Sequence, residues 1–178
     1  MLYLNLKIMK TKLLIAGWVF TAILISIQSC KDDKEESSPE FIASSNDFAN
    51  FRSWTEVTTN QGPSQSLGEA HKGNDETATR TIYIKDNQDR NADGKFPVGT
   101  IIVKDTRDAN GNTIEVTALV KRGNNFNPDN NDWEWFMLNA DGTIITDQGS
   151  EMRGAKLMGG MCGACHSQVK NKDFVFSK

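Results

Sequence analysis

The chain has 178 residues, three cysteines, two histidines and a formal net charge of −3 at pH 7. That length favours one domain over two. An acidic balance without a basic patch speaks against nucleic acid as a partner.

Residues 1–12 carry Lys7, Lys10 and Lys12 and no acid, and residues 13–27 are an apolar run with one Thr and one Ser in it. Fifteen such residues rise only about 22 Å as a helix, short for a membrane span. A basic start followed by an apolar core reads as a secretion signal over residues 1–29, and "MKTKLLIAG" from Met9 is a complete start by itself. The run ends "ISIQSC", which resembles the lipobox of bacterial lipoproteins, with Gln28 where a small residue is usual. On that reading Cys30 is the lipidated first residue, and its acyl chains hold an exported protein to a membrane on the periplasmic or cell-surface side. Ordinary cleavage, leaving Cys30 as a free thiol, is the alternative. Residues 30–40, charged and Ser-rich, read as a flexible tether. Loss of residues 1–29 removes three lysines and no acids, leaving 17 basic against 23 acidic side chains, or −6. Residues 41–178 are long enough for one core.

Phe48, Phe51, Trp54 and Val57 recur at steps of three, which predicts one short amphipathic helix over 44–57, capped by Ser44, Ser45 or Asn46. Residues 58–79, rich in Gly, Ser, Thr, Asn and Gln, read as a long irregular connection. Strand-like segments follow at 80–86, 99–105, 113–122, 132–139 and 142–147, separated by "NADGKFP", "DANGN", "GNNFNPDNND" and "NADG". The last of these turns predicts a tight hairpin. Such close spacing leaves no room for parallel crossovers, so the fold class is α+β: an antiparallel sheet of about five strands with a few short helices. "DRNADG" (89–94) matches the first half of a calcium loop, but the twelfth position is Thr100 rather than Glu and no helices flank it. It reads as a turn, an exposed calcium site being the alternative. From Gly149 the tail reads as helical turns broken by Gly154, Gly159 and Gly160.

Cys162, Cys165 and His166 stand together in "GGMCGACHSQ". CxxCH is the attachment signature of c-type haem. Two thiols add across the two haem vinyl groups, and the adjacent imidazole falls under the ring to ligate iron. Small Gly163 and Ala164 suit a backbone pressed to a porphyrin edge. A thioredoxin-like pair wants a βαβ context, a structural zinc wants a fourth ligand, for which His71 is the one remaining histidine, and a Cys162–Cys165 disulfide gives His166 no role. An export signal fits covalent haem, which is attached outside the cytoplasm. A six-coordinate electron carrier needs a further axial ligand; His71, Met137, Met152, Met158 and Met161 are the candidates. Each has an ordinary reading too, Met137 as core and His71 as an exposed or backbone-bonded side chain.

"FRSWTEV" (51–57), "AHKG" (70–73), "RTIYIKDNQ" (80–88), "GKFPVGTIIVKD" (94–105), "VKRGNNFNPDNNDWEWFMLNADG" (120–142) and the closing "CGACH" together resemble the cytochrome P-460 and cytochrome c′-beta family. The resemblance implies an antiparallel sheet, a homodimer, one covalent haem c per chain with His166 as the axial iron ligand, and an open second face for small ligands. Some members oxidise hydroxylamine with a lysine linked to the porphyrin; others bind nitric oxide or related gases in an apolar pocket. The chain is thus expected to bind or redox-transform small nitrogen ligands, with a six-coordinate electron-transfer cytochrome as the alternative; its membrane contact is the lipid anchor alone, and its redox partner is open.

Strand alternation puts Thr100, Ile102 and Lys104 on one face and Ile101, Val103 and Asp105 on the other. Lys104 is the candidate for a haem cross-link, its competing reading being a solvated strand end. Arg80 is the candidate distal side chain, or else exposed. Lys121 and Arg122 are second choices for the cross-link, and otherwise propionate partners or edge charges. Phe96 and Phe126 are candidate pocket walls or satellite core. Trp133 and Trp135 should share a face, against helix, haem or ordinary core.

Overall fold

The structure, a computed structural model, describes residues 39–178. The expected signal segment and the lipid-anchor cysteine, Cys30, lie outside the described residues.

Six strands form one antiparallel sheet in the order β1-β2-β3-β4-β5-β8: β1 (Thr55–Gln61), β2 (Thr79–Ile84), β3 (Ile101–Arg107), β4 (Thr113–Lys121), β5 (Trp133–Leu138) and β8 (Arg153–Gly154). A small hairpin of β6 (Thr146–Asp147) and β7 (Ser150–Glu151) stands apart. Strands β2 to β5 fall where hydrophobic runs and turns placed them. The tight turn at "NADG" also forms, with Gly142 N–H donating to Asn139 O at 2.9 Å and Asn139 N–H to Thr143 O at 2.8 Å. Its second arm pairs back only through Ile144 opposite Leu138, then leaves to make β6. "DRNADG" is a turn closed by Asn91 N–H to Lys95 O at 2.9 Å.

Three local expectations fail. The predicted helix over 44–57 is two 3-10 turns, Ser45–Phe48 and Phe51–Ser53, followed by the start of β1. A step of three is the repeat of a 3-10 turn, and Asn50, left-handed at φ 55°, breaks the run between them. Residues 58–61 belong to β1 instead of a loop; as a sheet edge it is half-buried at best and shows no alternation. Residues 150–154 are extended, because Arg153 and Gly154 pair with Phe136 and Trp135 of β5.

Alternation along the strands gives the sheet two apolar faces. One carries Ile101, Val103, Val116, Ala118, Val120 and Phe136 and is covered by Ala43, Phe48, Phe51 and Ile144. The other carries Ile82, Ile84, Ile102, Leu119, Trp133 and Trp135 and is covered by Leu157, Phe174 and Val175. The N-terminal turns therefore close one face, and the C-terminal segment that bears the cysteine motif closes the other.

Candidate functional site

The motif enters its helix through three successive left-handed residues, Met158 (φ 53°), Gly159 (φ 67°) and Gly160 (φ 87°). Gly160 is the N-cap, a conformation glycine adopts without a Cβ penalty. The helix α1 (Met161–His166) then sets Cys162, Cys165 and His166 at i, i+3 and i+4, on one face. Gly163 is small for a reason the motif does not announce: a Cβ there would lie 2.4 Å from Asn130 Oδ1. Asn130 Nδ2 donates to the Gly163 carbonyl at 3.1 Å and ties the helix to the loop before β5.

Both cysteines are separate, half-buried thiols. Burial, with the nearby Cys165 and Glu115, pushes the Cys162 thiol above its ordinary range against a local backbone hydrogen bond. Among the described residues no βαβ unit surrounds the pair, and no three His, Cys, Asp or Glu side chains gather as a metal site. The redox-pair and zinc readings therefore lose their structural context.

His166 is held by the tail. Its Nδ1 lies 2.7 Å from the Phe174 carbonyl, which can only accept, so Nδ1 carries the proton and the lone pair is on Nε2. Burial lowers the imidazole to about 4, despite that hydrogen bond, so the ring is neutral at neutral pH. Trp135 lies at 4.8 Å and Phe176 at 5.3 Å, centroid to centroid, and fix its plane. The indole N–H of Trp135 is buried and meets no acceptor among the described residues.

Two cavities meet at this ring. One, of about 320 Å³, is lined by Cys162, Cys165, His166, Trp135, Met137 and His71 among others. The second, of about 660 Å³, is lined by Arg80, Ile82, Ile102, Thr58 and Ser64 among others. Lys104, Leu119, His166 and Phe176 belong to both walls.

Lys104 sits mid-strand on the cavity face, opposite Thr117 of β4, and is mostly buried rather than a solvated strand end. Burial brings its ammonium down to about 8, with Arg80 adding to that and Glu115 and Cys165 opposing it. A penalised cation of this kind costs stability in the folded state. The penalty is complete below pH 8 and vanishes above the ordinary value of 10.5. Lys104→Met should therefore raise the urea midpoint of the haem-free chain at pH 7, and this gain should shrink as pH rises from 8 towards 10.5. A gain independent of pH would count against the buried charge.

Arg80 is buried, donating to the Lys72 carbonyl at 3.0 Å and to the Gly62 carbonyl, so it fastens the 62–78 loop to β2 while lining the larger cavity. His71, in that loop, bonds through Nδ1 to Glu115 Oε2 at 2.8 Å. Burial raises the Glu115 carboxyl, but the His71 bond and the charges of His71, Lys104 and Lys72 bring it below its usual value. Glu115 was not singled out from the sequence, though strand alternation from Thr117 and Leu119 assigns it to the cavity face.

Lys121 and Arg122, the second choices for the cross-link, are engaged elsewhere. Lys121 is buried against Asp173, at 2.9 and 3.0 Å from its two carboxylate oxygens. Arg122 bonds Glu40 at 2.8 Å and lies over the Phe126 ring. Phe96 is core, edge-on to Trp133 at 5.8 Å. Trp133 and Trp135 do share a face, and only Trp135 reaches the cavity. Met152 is packed against that core, and Met158 and Met161 are more than half exposed at the cavity rim.

The sequence model of cytochrome P460 matches residues 48–177, from the first 3-10 turn through the cysteine motif to the tail. The chain belongs to the cytochrome P460 family. No curated protein matches it. Membership makes the chain a c-type haem protein, in a family that includes hydroxylamine-oxidising enzymes. The residues present fit such a group. Two free thiols and an imidazole with a fixed tautomer share one helical face, an apolar wall of Leu119, Trp135 and Phe176 stands beside them, and the Trp135 N–H supplies an unused donor.

Proposed function

We propose that this cytochrome P460 family protein carries one haem c on Cys162 and Cys165, with His166 as the axial iron ligand, and that it binds or redox-transforms small nitrogen ligands such as hydroxylamine or nitric oxide. The observation that carries the reading is that both thiols and the neutral imidazole of His166 open on one cavity, which adjoins the larger one beside Lys104 and Arg80.

Each Cys S–H adds across one vinyl C=C, with its hydrogen and sulfur on the two carbons, so attachment needs no oxidant. The haem, when bound, supplies the iron redox couple and a coordination position for the ligand. The chain's own residues do the rest. Phe174 O holds the His166 proton and keeps Nε2 available. Leu119, Trp135 and Phe176 exclude water from the ring. Arg80 places fixed positive charge in the larger cavity and favours an anionic or strongly polar ligand there. Lys104 lines both cavities beside His166 and is the side chain proposed to face the porphyrin edge. Export and the lipid anchor on Cys30 belong to the same proposal and rest on the sequence alone; a homodimer rests on the family resemblance alone.

The test is the full chain matured in a host that attaches c-type haem. Haem should survive denaturation, as read by intact mass, and should be lost from Cys162→Ser with Cys165→Ser. Retention in that double variant would overturn the anchor. A red-shifted Soret band in the reduced protein that disappears in Lys104→Met would mark the cross-link; an unshifted band in both would remove it. Hydroxylamine turnover separates an enzyme from a gas-binding module. Cys30→Ser should leave the membrane fraction.

A further inference from the structure

The loop around "DRNADG" (89–94), a turn closed between Asn91 and Lys95, is bonded along its length to residues 172–178. Arg90 Nη2 donates to the Lys172 carbonyl at 2.6 Å and to the Lys178 carbonyl at 2.8 Å. Its guanidinium carbon lies 4.7 Å from the centroid of the buried Phe96 ring, so the donor group is seated on the core. The Phe96 N–H donates to Asp173 Oδ2 at 2.7 Å, and Lys178 Nζ donates to the Gln88 carbonyl at 3.0 Å. One arginine nitrogen therefore spans both ends of a short segment. Between those ends stand two groups that meet the imidazole of His166: the Phe174 carbonyl, 2.7 Å from Nδ1, and the Phe176 ring, 5.3 Å away centroid to centroid. Asp173 and Phe174 are left-handed, at φ 51° and 62°. Residues other than glycine hold such a backbone only where their surroundings enforce it, and such strain clusters where a group must be aimed.

We infer that residues 172–178 form a strap that aims His166, and that Arg90 is the positioning residue that fastens it. The inference rests on the haem site proposed above, with His166 as the axial ligand. The group bonded to the second nitrogen of a metal-ligating imidazole fixes the ring's orientation and raises its basicity. A carbonyl held close to Nδ1 draws on its proton, makes Nε2 the stronger donor and favours ferric over ferrous iron. A slack carbonyl does less of each. Arg90 thus acts on the iron through the backbone of another segment, and the turn that resembles half a calcium loop serves to present it. Two effects of removing Arg90 have opposite signs, which makes them separable. Releasing the strap favours the ferrous state, whereas deleting a positive charge disfavours it.

The experiment uses the full haem-loaded chain. In the ferric wild type the His166 Nδ1–H should give an iron-shifted proton resonance that exchanges slowly with water. In Arg90→Met that exchange should be about 10- to 100-fold faster, the worth of a hydrogen bond from a charged donor. The reduction equilibrium should move towards ferrous iron by about 2- to 10-fold, the worth of an ordinary hydrogen bond. Arg90→Lys, which keeps the charge and a point donor, should fall between the two, and it carries the test if Arg90→Met yields no haem-loaded protein. Arg52→Met breaks a 2.7 Å bond to Asp105 away from the strap, so it should lower the denaturant midpoint and leave both His166 readings unchanged. Covalent haem with wild-type exchange and potential in the Arg90 variants overturns the inference and leaves the haem site standing. A shift towards ferric iron in Arg90→Met also overturns it, as the effect of charge alone. Equal changes in Arg52→Met overturn it in favour of general stability. A His166 Nδ1–H that exchanges freely in the wild type overturns it without any variant. A wild type without covalent haem overturns the haem site itself.

Discussion

Asp173→Ala is expected to destabilise the protein by about 3–5 kcal/mol, because it strips the partner from a buried cation. Asp173 is buried and accepts from Lys121 Nζ through both oxygens, from the Phe96 backbone N–H at 2.7 Å and from Asn131. Its own carbonyl accepts from Trp133 Nε1 at 2.8 Å. Burial already lowers the Lys121 ammonium, and its hydrogen bonds and attraction to the Asp173 carboxylate oppose that. Without it Lys121 must stay charged in a dry site or give up its proton. A denaturant midpoint on the haem-free chain measures the loss, and Lys121→Met combined with Asp173→Leu should recover much of it, since a well-packed apolar pair replaces a buried ion pair at little cost. A loss under about 1 kcal/mol for Asp173→Ala would mean the site is wet and the pair weak. The residue also stands next to Phe174, whose carbonyl orients His166. Asp173→Asn should therefore broaden the ring signals of His166 in nuclear magnetic resonance even where global stability is largely kept.

Glu134→Ala should cost a similar amount, about 3–5 kcal/mol, on the other face of the sheet. Glu134 is 1% exposed in the middle of β5. It accepts from Arg153 Nε at 2.8 Å and Nη2 at 3.0 Å, with Arg122 Nη1 at 3.4 Å. Two parallel N–H···O bonds from one guanidinium are the stronger form of such a pair. Arg153 also donates to the Ala43 carbonyl at 2.6 Å and lies 4.6 Å from the Phe136 ring centroid. The carboxylate thus joins β8 and the N-terminal cover to the central sheet. Hydrogen exchange should speed first at β8 and residues 41–48 in the variant. Glu134→Gln, which keeps hydrogen bonding to Arg153, should lose markedly less; equal losses for the two would mean that charge, not bonding, dominates.

Much of this arrangement was legible before the structure. Strands β2 to β5 were marked by hydrophobic runs bounded by turn residues, and alternation on β3 assigned Lys104 and Ile102 to one face. The Cys162–His166 constellation was legible because its chemistry depends on local spacing within a single helical turn. The edge strand β1 was not, since neither side of "TEVTTNQ" is buried enough to alternate. The group that fixes His166 was hidden for another reason: Phe174 acts through its carbonyl, and backbone atoms leave no mark in side-chain identity. Lys121 with Asp173 and His71 with Glu115 were hidden by distance along the chain, 52 and 44 residues apart. Either partner alone reads as an ordinary surface charge.

The assignment of one sheet face to each end of the chain has a consequence for access. The N-terminal turns seal the Phe48 and Phe136 face. With Leu157 to Val175 undocked, the face of Ile82, Leu119 and Trp135 is an open apolar trough. The segment carrying the thiols is itself the cover of that trough, so closing it and packing Cys162 against it are one event. Chemistry on Cys162 and Cys165 that waits for this closure would meet a finished wall, whereas chemistry that precedes it would have free access.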